Sequence, residues 1–383
     1  MKIEDLIEHL AETESVELEN VTIDAEELIM QIKQAMAMPM ARQAAAIKAR
    51  REAIKYAPPI KEYRGAIEEI TLGATKADGG SRGKVVKLGG QKSLYRFEGG
   101  FANDPVVTFD VFDISMPTFA KALREEWSDY WDSPADWAKR AVKLGADLVT
   151  IHLISTDPRI KDTSPREAAK TVEEVLQAVK VPLVIGGSGN PEKDPKVFDA
   201  AAQAAEGEMC MIASANLDLD YKKVVDSALK YNHNVLSWTS MDINDQKTLN
   251  KLLLDDCKLP RNRMIQDPTT GALGYGIEYT YTLIERMKEG ALKGDADLQF
   301  PISCGVTNAW AAREAWMNES KWGPREYRGP LWETVTALTV LMAGADIMMM
   351  LHPTAVKIVK EVIESQNGKL AGTDINFEDW LSL

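Results

Sequence analysis

The sequence predicts an α/β protein: a (β/α)8 TIM barrel preceded by a helical N-terminal extension and a short β ribbon. Short apolar strands and helical segments alternate from Val106 onward, and eight such units occupy about 260 residues, the span of a closed barrel. Strands that alternate with helices imply a parallel sheet, since each return needs a crossover. No Gly-rich nucleotide fingerprint follows the first strand, which disfavours an open doubly wound sheet. The sixth unit, residues 263–279 (RMIQDPTTGALGYGIEY), runs from a strand through Asp267-Pro268, two Thr and three Gly into a helix. That is a βα unit with an open, ligand-sized loop.

Residues 1–64 read as helices set apart from the rest. Ile3, Leu6, Ile7 and Leu10 fall at helical spacing, Asp24 can cap a second helix, and Pro58-Pro59 closes the segment. This extension is either a docking element or an appendage packed on its own chain. Residues 65–105 read as a ribbon or cap: 66–72 and 84–88 alternate as strands around Asp78-Gly79-Gly80 and end at Gly89-Gly90. No P-loop context accompanies these glycines, so they read as turns.

The barrel is expected over 106–366, with strands starting near Val106, Leu148, Leu183, Cys210, Val235, Met264, Phe300 and Ile347. Helices are expected near 135–144, 165–179, 195–205, 221–231, 245–257, 277–287, 308–317 with 331–343, and 353–365. The tail, 367–383, plugs one end of the barrel or docks elsewhere; sequence leaves both open.

Ligands of such barrels sit at the carboxyl ends of the strands. Those ends carry Asp110 and Asp113, then His152, then Gly186 to Asn190, then Ser214 to Asn216, then Trp238 to Ser240. Asp267 to Gly271, Ser303 to Asn308 and His352 follow. Small neutral hydrogen-bonding groups dominate, and no Lys stands at a strand end, which weakens a Schiff-base reading. His152 and His352 could ligate a metal with Asp110 or Asp267, but capping roles serve them as well. Asp110 with Asp267 could form an acid–base pair or hold a pterin's ring nitrogens; satisfying the mouth loops explains them equally. Trp238 and Tyr275 could stack on a flat ligand or simply pack. A polar, Gly-rich platform suits a wide ligand with many amide edges, such as a corrinoid.

The formal net charge of −13 argues against nucleic acid or an anionic membrane as partner. The longest apolar run, 345–351, contains Asp346 and is too short to span a bilayer; Lys2 is followed by Glu4 and Asp5, so no secretory leader is expected. Cys210, Cys257 and Cys304 are widely separated, with no C-x-x-C, so no Fe–S cluster on this chain is expected, and a reducing cytoplasm is.

The blocks FDVFDISMPTFAKALREEW, DLVTIHLISTDP, LVIGGSGNPEKDPKVFDAAAQAAEG, NVLSWTSMDINDQKTLN, MIQDPTTGALGYGIEYTYTLIERM and FPISCGVTNAWAAREAW resemble the small subunit of the corrinoid iron–sulfur protein. In archaea this is the delta-subunit family of the acetyl-CoA decarbonylase/synthase complex. The resemblance spans about residues 61–366. It implies a heterodimer with a larger Fe–S and B12-binding subunit, sharing a cobamide (a corrinoid of the B12 type) at the barrel mouth. It also implies a place in one-carbon metabolism: methyl transfer on cobalt between a methyl-tetrahydropterin and acetyl-CoA synthase, in the Wood–Ljungdahl direction or in methanogenesis from acetate. On that reading the pterin methyltransferase and acetyl-CoA synthase components are further partners. This chain then holds the cofactor and contributes no catalytic residue. The D-x-H-x-x-G cobalt-ligating signature is absent, and a mouth without a strong ligand leaves the methyl face open. Strand-end placement joined to the family's geometry gives the expected cofactor contacts: Gly187, Ser188 and Asn190; Thr269, Thr270, Gly271 and Tyr275; Gly305, Thr307 and Asn308. Two other readings compete. One is a free-standing pterin-binding methyltransferase of the dihydropteroate-synthase-like barrel type, using Asp110, Asn216 and Asp267. The other is a purely architectural subunit.

Overall fold

A computed structural model describes residues 60–367. The expectations for a helical segment before residue 60 and for the tail after 367 lie outside the described residues; 60–64 form no helix.

Strands β1 (Ile70–Leu72) and β2 (Val86–Leu88) pair antiparallel, with Thr71 opposite Lys87. Eight parallel strands follow: β3 (Val106–Phe112), β4 (Leu148–His152), β5 (Leu183–Gly186), β6 (Met211–Ala215), β7 (Asn234–Trp238), β8 (Met264–Asp267), β9 (Ser303–Gly305) and β10 (Ile347–Met350). Between and after them lie α1 (Lys121–Trp127), α2 (Pro134–Lys143), α3 (Pro165–Ala178), α4 (Asp194–Ala204), α5 (Tyr221–Lys230) and α6 (Ile243–Lys251). The set is completed by α7 (Ile277–Leu292), α8 (Arg313–Trp316), α9 (Arg325–Ala343) and α10 (Pro353–Gln366). The strand order is 8-7-6-5-4-3-10-9, so β3 and β10 are neighbours and the sheet curls round.

The ring closes at β8 and β9 by one parallel bridge, Gln266 to Ile302. Side chains complete that joint. Gln266 Nε2 donates to the carbonyls of Leu298 and Phe300, both at 2.9 Å, and Asn250 Nδ2 donates to Gln266 Oε1 at 3.0 Å. Buried amides with every group paired are stable and specific. The seventh strand therefore begins at Ser303 and not near Phe300: Pro301 has no N–H to give, and the Phe300 carbonyl is taken by Gln266.

Two-residue alternation along the strands sorts their side chains into two cores. Val107, Phe109, Val111, Val149, Ile151 and Ile185 pack outward against the helices. Leu148, Val184, Met211, Leu236, Ile265, Ile347 and Met349 point inward and meet Ile70, Leu72, Val86 and Leu88 of the ribbon. The ribbon thus stoppers the amino end of the barrel. Asn234 Nδ2, at the start of β7, donates to the Thr71 carbonyl at 3.0 Å, and the Gly73 N–H donates to the Met209 carbonyl at 2.9 Å.

Higher in the barrel the interior turns polar. Thr108 and Thr150 hydroxyls bond at 2.8 Å, and Asp110 and His152 stand one step above them. Helix α1 has no counterpart in the sequence reading; Trp127 anchors it, edge-on to Phe109 at 5.6 Å and donating Nε1–H to the Leu351 carbonyl at 2.9 Å. Helix α9 starts at Arg325, six residues before the expected 331; Arg328 ties its first turns to the Glu314 and Met317 carbonyls. Among the described residues no helix is long and apolar enough to cross a membrane.

Candidate functional site: the carboxyl mouth of the barrel

With the amino end stoppered, the accessible interior lies at the carboxyl ends of the strands. A cavity of about 360 Å3 opens there. Six of the expected contacts line it: Gly187, Thr269, Thr270, Gly305, Thr307 and Asn308. Asp110, Thr150, His152, Asn216, Trp238 and Asp267 line it with them.

The loop after β5 is shaped by Asp194, at the start of α4. Its carboxylate accepts the Ser188 N–H (3.0 Å), the Ser188 hydroxyl (2.8 Å) and the Gly189 N–H (2.8 Å). A Cβ on Gly187 would lie 2.4 Å from Asp194 Oδ2 and 2.8 Å from the Phe198 ring, so only glycine fits there. Burial raises the Asp194 pKa, against the donors that favour its ionised form. Ser188 is thereby spent on its own loop and does not line the cavity. Asn190 is likewise turned to the backbone, its Oδ1 accepting the N–H groups of Glu192 and Lys193.

The loop after β8 is equally self-contained. Thr269 has a positive φ of 68°, its N–H donates to Asp267 Oδ1 at 2.9 Å, and its hydroxyl donates to the Thr239 carbonyl at 2.7 Å. Gly271 gives its N–H to the Thr280 hydroxyl at 2.7 Å, and a Cβ there would meet the Gly276 carbonyl oxygen at 2.7 Å. Gly271 serves loop closure and Tyr275 lies outside the cavity, 59% exposed. Asn308 Nδ2 donates to the Thr270 carbonyl at 2.9 Å, joining the loops of β8 and β9.

The charged groups sit deeper. His152 Nε2 stands 3.1 Å from Asp110 Oδ1 and stacks on Phe112 at 5.0 Å. Asp267 is buried at the cavity wall, and burial lifts its pKa to about 7. Glu333 of α9 accepts the Leu351 and His352 N–H groups at 2.5 and 2.8 Å; burial lifts its pKa to about 8. His352 caps α10, accepting the Thr354 N–H on Nδ1 at 3.2 Å, and burial lowers its pKa to about 4. That is a capping role, not a ligand's. Among the described residues no group of three His, Cys, Asp or Glu could hold a metal ion. Sequence reasoning placed Asp110, His152, Asn216, Trp238 and Asp267 at strand ends but did not select them as contacts. It missed Thr150, two residues before His152 on the same face, and Asp194, which lies beyond the loop it shapes.

The Asp267 value carries a pH consequence. Between pH 3.8 and about 7 the unfolded chain ionises this group while the folded chain keeps it protonated. The stability it contributes is complete below the unfolded value and is lost as pH rises through about 7. Asp267→Asn keeps an acceptor for Thr269 and cannot ionise. Its melting temperature should therefore gain on wild type from pH 5 to pH 8, by the equivalent of about 2–4 kcal/mol. Parallel curves for the two proteins across that range would contradict the assignment.

Against known families, residues 69–320 match the model of the CO dehydrogenase/acetyl-CoA synthase delta subunit. The chain belongs to that family. Subunit delta of the acetyl-CoA decarbonylase/synthase complex of Methanocaldococcus jannaschii is 49% identical over 392 residues, covering 99% of this chain and 96% of the relative. The Methanothermobacter thermautotrophicus protein is 53% identical over 372 residues, covering 95% and 92%. The Archaeoglobus fulgidus protein is 53% identical over 336 residues, covering 85% and 74%. The likeness to the solved structure of dihydropteroate synthase of Xanthomonas albilineans is weaker, with a TM-score of 0.48 and 16% sequence identity, covering 69% of this chain and 93% of that one. This delta-family chain thus carries a near-closed eight-stranded barrel over its described residues.

Proposed function

We propose that this delta-family chain is the barrel half of a corrinoid protein, paired as a heterodimer with a larger subunit that carries an Fe–S cluster and a B12-binding domain. When bound, the cobamide supplies a cobalt that takes up a methyl group from a methyl-tetrahydropterin and gives it to acetyl-CoA synthase, or the reverse. The observation that carries the reading is family membership joined to an open mouth whose rim is neutral.

The fit is to the rim and not to the interior. A cavity of about 360 Å3 is at the small end of ligand pockets, roughly 300–1,000 Å3, and does not swallow a macrocycle. Across the rim, Gly187, Thr269, Gly305, Thr307 and Asn308 offer backbone edges, hydroxyls and an amide suited to the amide arms of a corrinoid. Asn190, its Oδ1 bonded to backbone, and the exposed Tyr275 do not line the cavity. The work of this chain is to seat one face of the cofactor, exclude water and leave the reacting face to its partners, in the cytoplasm. It needs no acid, base or nucleophile of its own for that.

Purification of the native complex tests the reading. A cobamide absorbance band and a larger, cluster-bearing subunit should travel with this chain. A corrinoid-free monomer that transfers methyl groups by itself would overturn the proposal in favour of a free-standing methyltransferase.

A further inference from the structure

We propose that the chain beyond Asn367 turns back onto the outer face of helix α9 and docks there through Phe377, Trp380 and Leu381, a contact independent of any corrinoid.

Helix α9 lacks the polar outer face that a surface helix normally presents. Leu331, Val335, Leu338 and Met342 recur at helical spacing along one stripe. Leu331 is 53% and Met342 70% exposed, and the two between them are half-buried. From Gly329 to Gly344 the only charged residue is Glu333, and its carboxylate is buried, accepting the Leu351 and His352 N–H groups. A continuous apolar row with no charge beside it marks a surface made to be covered. From Leu331 to Met342 it runs about 16 Å, at 1.5 Å per residue.

The tail leaves the barrel near the Met342 end of this stripe. Gln91 Nε2 donates to Asp346, just past the end of α9, and a little further on Arg96 Nη1 donates to Asn367 Oδ1 at 2.7 Å. The short segment 91–96 thus joins the end of α9 to the end of α10, over at most about 18 Å of chain. Arg96 Nη2 and Asn367 Nδ2 are enclosed at that point and have no acceptor. Enclosed donors are normally paired, and the carbonyls of a chain turning back here would pair them.

The tail also matches the stripe in kind. Residues 370–383 carry six large apolar side chains, three acids and no cation, so they have apolar surface to bury and no positive charge to place. Phe377, Trp380 and Leu381 fall at i, i+3 and i+4, one side of a helical turn, and Glu378 and Asp379 fall on the other. Asp374 stands where it can cap that turn. A helical segment from 374 to 383 would be about 15 Å long, the length of the stripe. Docked with its acids outward, it gives α9 the charged outer face that its own sequence omits.

Fluorine NMR of the full-length chain labelled with fluorotryptophan tests this, with the Trp380 signal identified by Trp380→Phe. In the wild type that signal should stand apart from the position of the free amino acid. Met342→Glu on the stripe and Phe377→Asp in the tail should each return it to the free position, and Met342→Leu should not. Chymotrypsin should cut the tail about tenfold or more faster in both releasing variants, since an undocked segment is open to cleavage at all times. If Met342→Glu fails to fold, Leu331→Gln at the other end of the stripe takes its place. A wild-type signal already at the free position overturns the proposal. So does a signal that Phe377→Asp moves and the stripe variants do not, which would put the tail elsewhere. A signal that leaves the free position only at high protein concentration, or only when the other subunits of the native complex are added, also overturns it, by making the occupant of the stripe a second copy or a partner.

Discussion

Lys288→Met is expected to destabilise the barrel by about 3–5 kcal/mol, because it strands a buried carboxylate. Lys288 and Asp346 side chains are each 3% exposed, with Nζ 2.6 Å from Asp346 Oδ2. The same Nζ donates to Gln91 Oε1 at 2.7 Å, Gln91 Nε2 donates to Asp346 Oδ1 at 2.6 Å, and the Ile302 N–H donates to Asp346 Oδ2 at 2.7 Å. One triad thereby joins helix α7, the segment after the ribbon and the start of β10. Methionine preserves most of the volume and removes only the charge and its donors. The drop should read as roughly 6–15 °C in melting temperature. Adding Asp346→Asn should recover part of it, since the amide oxygen still serves Ile302 without needing a counter-ion. A single variant that melts with wild type would show that the pair is not buried in solution.

Arg82→Ala is expected to cost a similar amount, about 3–5 kcal/mol, by a different route. Its guanidinium fills the gap between the ribbon and the amino end of the barrel. Nη1 donates to the Val179 carbonyl at 2.8 Å, Nη2 to the Leu176 carbonyl and the Ser81 hydroxyl, each at 2.8 Å, and Nε to Glu208 at 2.8 Å. Leu176 lies in the last turn of α3 and Val179 is its C-cap residue, so the arginine donates to carbonyls of that helix end. Arg82→Lys keeps the charge but not the fork, and should recover less than half of the loss. Chemical denaturation of the three proteins checks both statements, and a fully restored lysine variant would count against the fork.

These two clusters also mark what the sequence could not show. Strand positions were legible because alternation separates the outward Val107, Phe109 and Val111 from the inward Thr108 and Asp110. Neither Arg82 with Leu176 nor Lys288 with Asp346 is near in sequence, and no local pattern announces such partners. The same holds at the mouth. Gly187, Thr269, Thr270, Gly305, Thr307 and Asn308 were legible because a strand end fixes where the next residues lie. Ser188, Asn190 and Gly271 share that placement, yet their polar groups are absorbed by neighbouring backbone, by Asp194 or by the Thr280 hydroxyl, which depends on turn geometry that residue type does not encode. The loop read as an open cradle is instead largely occupied with holding itself.

The joint between β8 and β9 gives the mouth a further property. With one backbone bridge there, the roundness of the barrel depends on a single glutamine fork and on the Asn308–Thr270 contact above it. Whatever rests on both of those loops clasps the two staves from outside, so a guest at the rim acts as a hoop. The container is then tightest when it is full.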